Sequence, residues 1–340
     1  MTDYGHDLLF GSFITPTNAN PQQVVALAQH SERVGLDLVT FQDHPYQPGF
    51  LDTWTLLSYV AARTERVHLA GNVLNVPLRP PAVLARAAAS LDLLSGGRVE
   101  LGLGAGGFWD AIVSMGAQRL TPGESVDALS EAIDVIRGIW DVSDRSRLVA
   151  GGEYHHVDGA KRGPAPAHDI GIWLGAYKPR MLRLTGRKAD GWLPSLAYMT
   201  SLQQLADANA IIDEAAAGAG RDPRAVRRLL NIGGQLTAAT SDRLLVGPPG
   251  QWVEQLAVLT LEHGFSGYIL SGDDPTALAT FGQEIAPALR AVVAAERGTS
   301  SADGADGSVP ASQLDGAATT APADSDVPTS TATPAAPANR

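Results

Sequence analysis

The stretch Arg98–Asp110, R-V-E-L-G-L-G-A-G-G-F-W-D, decides how the rest of the chain is read. Arg98 to Leu103 alternates with period two and puts Val99, Leu101 and Leu103 on one side, as in a strand buried on that face. The side chains then give out: Gly102, Gly104, Gly106 and Gly107 fall within six residues. Ordering glycine costs more backbone entropy than ordering any other residue. Such density therefore predicts special dihedrals or something pressed against the backbone. Phe108 and Trp109 follow directly. A bare floor beside two aromatic rings suits a flat, conjugated ligand; a tight structural corner is the plainer alternative.

Upstream of this strand the chain reads as three β-then-α units. Asp7–Ile14 is a strand, and Asn20-Pro21 opens a helix that Gly35 closes. Leu36–Phe41 is a strand followed by a helix over Thr53–Arg63. Arg66–Ala70 is a strand ending in Gly71-Asn72-Val73, followed by a helix over Pro80–Leu94. Downstream, Thr121-Pro122-Gly123-Glu124 forms a capping box for a helix to about Trp140. Asp141–Asp169 is irregular, with a flap over Gly151–Val157. Strands at Ile170–Ala176, Asp190–Pro194, Leu229–Leu236 and Tyr268–Leu270 then alternate with helices at Pro179–Lys188, Thr200–Ala217, Pro249–His263 and Pro275–Glu296. Eight such units imply a parallel sheet closed into a single (β/α)₈ TIM barrel over residues 1–297.

Gly298–Arg340 is Ala-, Ser-, Thr-, Pro-, Gly- and Asp-rich, with only Val309, Leu314 and Val327 as large apolar residues. Residues 298–340 therefore read as a disordered tail. The tail's five Asp and one Arg account for −4 of the net charge of −11, leaving −7 on the body. An acidic body with no basic run argues against nucleic acid and against an anionic membrane surface as partners. The absence of cysteine removes disulfides, thiol catalysis and thiolate metal sites. No apolar run approaches the roughly 18 residues that span a bilayer. Met1–Asp7 is neither basic nor followed by a cleavage pattern, so a cytoplasmic location is expected.

In a barrel of this kind chemistry sits where strands run into helices. That rule gathers Asp43-His44, Asn72-Val73, Gly104–Trp109 and Gly175–Lys178 around one mouth. The run Gly102–Gly107 matches the dinucleotide pattern G-x-G-x-x-G, but that fingerprint opens its fold and three units precede it here. A histidine at a strand end, beside an acid, can move a proton near neutral pH, so Asp43 and His44 are the catalytic candidates. Gly175-Ala176-Tyr177-Lys178 leads into a helix whose free N–H groups suit a phosphate, with Lys178 and Arg180 adding charge. His155-His156 has no partner at ligand spacing, and His6, His30, His68, His168 and His263 stand without context. No metal site is expected. Neither a G-x-S-x-G elbow nor an H-E-x-x-H helix is present.

Together, F-Q-D-H-P at Phe41–Pro45, L-A-G-N-V at Leu69–Val73, L-S-G-G-R-V-E-L-G-L-G-A-G at Leu94–Gly106 and G-R-K-A-D-G-W at Gly186–Trp192 resemble the bacterial luciferase-like superfamily of flavin- or deazaflavin-dependent oxidoreductases. The resemblance covers nearly all of Leu8–Arg290. It implies that Asn72-Val73 forms a bulge, often with a non-proline cis peptide, under the cofactor ring. It also implies that Gly104, Ala105, Gly106 and Gly107 line that ring, and that Gly175, Ala176, Tyr177 and Lys178 hold its phosphate. Asp43 and His44 match the acid–histidine pair of the deazaflavin branch. The sugar-phosphate dehydrogenases of this superfamily carry a glutamate where Gly107 stands here, and Thr237–Pro248 is short, with Arg243 its only cation. Both departures point away from a phosphorylated sugar. Tyr46, Phe50, Phe108 and Trp109 then form the wall for a small, mostly apolar substrate.

Three functions follow from this resemblance. The first is a monooxygenase that uses dioxygen and reduced FMN supplied by a separate flavin reductase. The second is a coenzyme F420-dependent dehydrogenase or reductase that transfers a hydride. The third is a flavin-binding protein without turnover. A homodimer is the expected assembly.

Overall fold

In the computed structural model, residues 3–199 and 201–302 are described. Eight parallel strands close on themselves: β1 (Leu9–Ile14), β2 (Leu38–Phe41), β3 (His68–Gly71), β4 (Val99–Gly104), β5 (Ile172–Leu174), β6 (Gly191–Trp192), β7 (Arg227–Ile232) and β8 (Gly267–Ser271). Each pairs with its sequence neighbours, and β1 also pairs with β8, so the expected barrel forms and no barrel strand is left as an edge. The helices are α1 (Pro21–Arg33), α2 (Thr53–Ala61), α3 (Pro81–Ser95), α4 (Trp109–Ser114), α5 (Pro122–Trp140), α6 (Pro179–Lys188), α7 (Leu202–Gly218), α8 (Pro249–Leu261), α9 (Pro275–Thr280) and α10 (Ala286–Ala302). Asn20 caps α1 by accepting from the Gln23 N–H, and Thr121 and Glu124 close a reciprocal capping box on α5.

The alternation of β4 is realised on both faces. Leu101 and Leu103 pack outward on Leu84 and Ala88 of α3 and on Leu129 and Ile133 of α5. Glu100, Gly102 and Gly104 have the opposite parity and face the barrel interior. That interior is filled by Leu38, Ala70, Trp173, Leu193, Leu229 and Ile269, so it is a packed core and not a pore.

Three local departures have physical causes. β7 stops at Ile232, before the expected Leu236, and Gly234 just beyond lets the chain pass close to Leu245, whose carbonyl a Cβ there would meet at 2.1 Å. The chain instead leaves the barrel to pair Gln235–Leu236 with Val246–Gly247. The closing helix is interrupted by a π turn at Phe281–Ile285, where a Cβ on Gly282 would lie 2.4 Å from the Val34 carbonyl at the end of α1. It then continues past the expected boundary near Gly298 to Ala302. The predicted tail otherwise falls on residues 303–340, outside the described residues. The flap is present as an antiparallel hairpin of Leu148–Gly151 with His156–Ala160, pinned at its turn by Glu131, which accepts from the Glu153, Tyr154 and His155 N–H groups.

Candidate active site

The end of β3 shapes the mouth. Ala70 pairs with Glu100 and Leu74 with Leu103, so four steps of one strand oppose three of the other. The extra residue makes a β-bulge at Asn72-Val73, whose peptide bond is cis. Val73 is seated among glycines. A Cβ would come within 2.7 Å of its side chain at Gly104, and within 3.4 Å at Gly102 and at Gly175. At Gly102 a Cβ would also collide with the Gly71 carbonyl at 2.1 Å. Two of the four clustered glycines are therefore emptied for the chain's own bulge. Gly106 adopts a left-handed φ of 92° against Pro77, Ile112 and the Trp109 ring. Gly107 alone of the four faces open space, where a Cβ would meet nothing within 4 Å.

Asp43 and His44 are adjacent in sequence but divided in role. Asp43 is buried at 3% exposure, and Arg79 grips it with two bonds of 2.8 Å, from Nε and from Nη2. The Asn75 N–H adds a third bond to the same carboxylate. Arg79 also reaches Asp52, the cap of α2. Asp43 thus anchors the loop after β3, while His44 is only half-buried. Its Nδ1 lies 2.7 Å from the Tyr46 hydroxyl, and its ring is 5.6 Å from Phe108 and 6.4 Å from Phe50. Three of the four expected wall residues therefore surround His44. Trp109, the fourth, begins α4 and lies against Gly106. Burial lowers the pKa of His44 from its ordinary value and outweighs the opposing pull of Asp43, whose charge is already claimed by Arg79. At neutral pH the imidazole is therefore uncharged.

A ladder of neutral polar groups crosses the interior beneath the mouth. Asn72 donates to Asn231 on β7 at 2.6 Å and Asn231 donates back at 3.0 Å. Asn72 also donates to Thr40 Oγ1, and Thr40 to the Ser12 carbonyl. Asn231 donates to Ser195 Oγ, and the Ser195 N–H bonds to the Tyr177 hydroxyl at 2.8 Å. Asn231 and Ser195 belong to none of the sequence motifs. A lone amide within Leu229-Leu230-Asn231-Ile232 is the only sign of them in the sequence. Asn75, just past the bulge, keeps its buried Oδ1 without a hydrogen-bond partner among the described residues.

Gly175 to Lys178 lead into α6 as expected. Lys178 caps α6 with no side-chain bond to the first turn, leaving N–H groups free there. Lys178 is exposed, whereas Arg180 is tied to Asp127 by two bonds of 2.7 Å and cannot serve an anion freely. Trp192, which ends the Gly186–Trp192 motif, is fully buried against Phe265. A cavity of about 320 Å³ lies beside the mouth and not over His44, lined by Val76, Pro77, Ala105, Leu129, Tyr154 and His155.

Residues 8–243 match the luciferase-like monooxygenase family. The chain belongs to that family. Among curated proteins, it is 35% identical over 179 residues to an F420-dependent glucose-6-phosphate dehydrogenase of Amycolatopsis mediterranei, covering 51% of this chain and 53% of that one. The enzyme of the same name from Nocardia farcinica is 32% identical over 239 residues, 66% and 68% of the two chains. The chain thus spans about half the length of the first of these relatives and about two thirds of the second. Among solved structures, an F420-dependent secondary alcohol dehydrogenase in complex with an F420-acetone adduct superposes with a TM-score of 0.73. It covers 84% of this chain and 99% of that one at 18% identity, a likeness of fold. This luciferase-like barrel has no helix, among its described residues, long and apolar enough to cross a membrane.

Proposed function

We propose that the chain is a coenzyme F420-dependent oxidoreductase that interconverts a small, mostly apolar alcohol and its carbonyl compound, with His44 as the proton partner. The observation that carries this reading is the state of His44. The ring is neutral through burial, walled by Tyr46, Phe50 and Phe108, and supported at Nδ1 by a hydroxyl that either gives or takes a hydrogen bond. With Nδ1 protonated, Tyr46 accepts and Nε2 is left as a base for a substrate hydroxyl. With Nδ1 bare, Tyr46 donates and Nε2–H is left to hydrogen-bond a carbonyl oxygen, while the imidazolium formed when Nε2 takes the alcohol proton returns that proton in the reverse direction. Burial holds the Tyr46 phenol above its ordinary pKa, so it stays protonated in both states. The residues at the mouth suit a ring with its own polar edge. Val73 stands on its bulge, the Asn75 side-chain oxygen awaits a donor, Gly107 is open, and Lys178 with the start of α6 suits a phosphate. Bound there, F420 would supply the hydride chemistry. The names of the sequence relatives support the deazaflavin over FMN.

A second reading, monooxygenation with reduced FMN delivered by a flavin reductase, draws on the family's description and on the apolar wall around His44. Titrating reduced F420 and reduced FMN separately into the full chain distinguishes the two. The proposal expects F420 to bind tighter than about 1 mM, roughly 4 kcal/mol, and small secondary alcohols to reduce the oxidised form without oxygen uptake. Preferential FMN binding with substrate-dependent oxygen consumption would replace it with the second reading. Cofactor binding without turnover of any alcohol, carbonyl or oxygen would leave a flavin-binding protein.

A further inference from the structure

At the end of the barrel opposite His44, three side chains far apart in sequence converge. His68 opens β3, Glu100 is the second residue of β4, and His168 lies in the segment before β5. Glu100 Oε1 is 3.3 Å from His68 Nδ1 and 3.6 Å from His168 Nε2. The three ligand atoms lie within 4.8 Å of one another, and the two imidazole rings stand at 89°. We infer that this floor binds one first-row divalent cation, Zn²⁺ by preference, through His68, Glu100 and His168.

The distances suit that ion. Zinc holds nitrogen and oxygen ligands at about 2.0–2.1 Å, which in a tetrahedron puts neighbouring ligand atoms about 3.3 Å apart. The tautomer suits it too. Asp92 is wholly buried and accepts from the Val99, Ala167 and His168 N–H groups. An ionised carboxylate only accepts, so His168 Nδ1, 2.9 Å away, must be the donor. The Nε2 atom of the same ring is buried and, among the described residues, makes no hydrogen bond within 3.5 Å, with Glu100 Oε1 just beyond at 3.6 Å. A carboxylate holding the far nitrogen is the usual way a zinc-binding imidazole is oriented. Glu100 is likewise fixed, since its other oxygen accepts from the Gly171 N–H at 2.8 Å. The two carboxylates, Glu100 and Asp92, bring to the site a charge that a divalent ion cancels. Both rings keep access to solvent, at 38% and 30% exposure, which leaves a path for the ion and a place for a water as fourth ligand. Arg227 is close enough to feel Glu100, but its guanidinium donates to the Asp7 carbonyl.

The test is a titration of the chelator-treated full chain with Co²⁺, followed by displacement with Zn²⁺. One equivalent is expected, with a visible d–d absorption band that Zn²⁺ removes. Glu100→Gln keeps an acceptor for Gly171 and should weaken binding by about 100-fold or more, as should His168→Ala; Asp92→Asn should weaken it by about 10–100-fold. His155→Ala combined with His156→Ala should change nothing. Absence of saturable binding below about 1 mM in the wild-type chain overturns the inference, whatever the variants do. So does binding that survives Glu100→Gln or that is lost with His155 and His156.

Discussion

His44 and His168 lie at opposite ends of one barrel, each beside a buried aspartate, yet their protons are held oppositely. The His44 pKa is lowered by burial, whereas Glu100 and then Asp92 raise that of His168 to about 9. The difference lies in what the aspartate is already doing. Asp43 is neutralised by Arg79, so desolvation decides at His44. Asp92 accepts only neutral backbone donors besides the imidazole, and Glu100 adds a second carboxylate, so attraction decides at His168. A neighbouring acid thus sets a histidine's charge only to the extent that nothing else neutralises it. The mouth follows the same rule. Its ladder of Asn72, Asn231, Thr40 and Ser195 carries no charge, so the polar floor beneath the mouth offers dipoles and no ion to be desolvated.

The contrast is broken most severely at Arg79. Arg79→Met leaves Asp43 buried and unpaired, and should cost about 3–5 kcal/mol in denaturant unfolding. In whatever fraction folds, the freed carboxylate should drive the His44 pKa upward, toward the condition of His168, as read by imidazole proton shifts in NMR. A His44 pKa that stays depressed would show that Arg79 does not insulate it. Next in size, His44→Ala should lower turnover by about 10²-fold or more, with melting temperature little changed. Unchanged turnover would remove His44 from the reaction. In the wild-type chain, the proposed alcohol oxidation requires the neutral ring. Because the folded pKa lies below the ordinary value of about 6.5, the rate should stay flat through neutral pH and fall only on the acid side of that value. A decline beginning above pH 7 would contradict the lowered pKa. The smallest effect is expected for Tyr46→Phe, which removes the hydroxyl that supports both tautomers. Turnover should fall by roughly tenfold, with substrate KM less affected than kcat.

Much of this architecture is legible in the sequence because its signals are local. Asn20-Pro21 and Thr121–Glu124 announce helix starts through groups three residues apart, and the alternation of Val99 to Leu103 gives the strand and its buried face directly. Asp43, His44 and the Asn72-Val73 bulge can be placed at the mouth because strand ends are countable. What escapes is pairing at long range. Arg79 captures Asp43 from 36 residues away, and Asn231 meets Asn72 from 159 away. His168 joins Asp92 across 76 residues, so neither histidine of the floor carries a local sign of its partners. Glycine is legible as an oddity but not as to cause. The same residue type makes room for a neighbouring strand at Gly102 and faces open space at Gly107, and only the position of Val73 separates the two.

The seat of Val73 makes β3, β4 and β5 a set whose parts are exchangeable only together. A methyl group added at Gly104 has nowhere to go while Val73 fills the space at 2.7 Å, and at Gly102 the obstacle is the Gly71 carbonyl itself. An attempt to redesign the mouth by mutating one strand at a time therefore meets a dead end that no single substitution reveals. Shortening Val73 first opens the route to Gly104, whereas Gly102 stays closed for as long as the bulge exists.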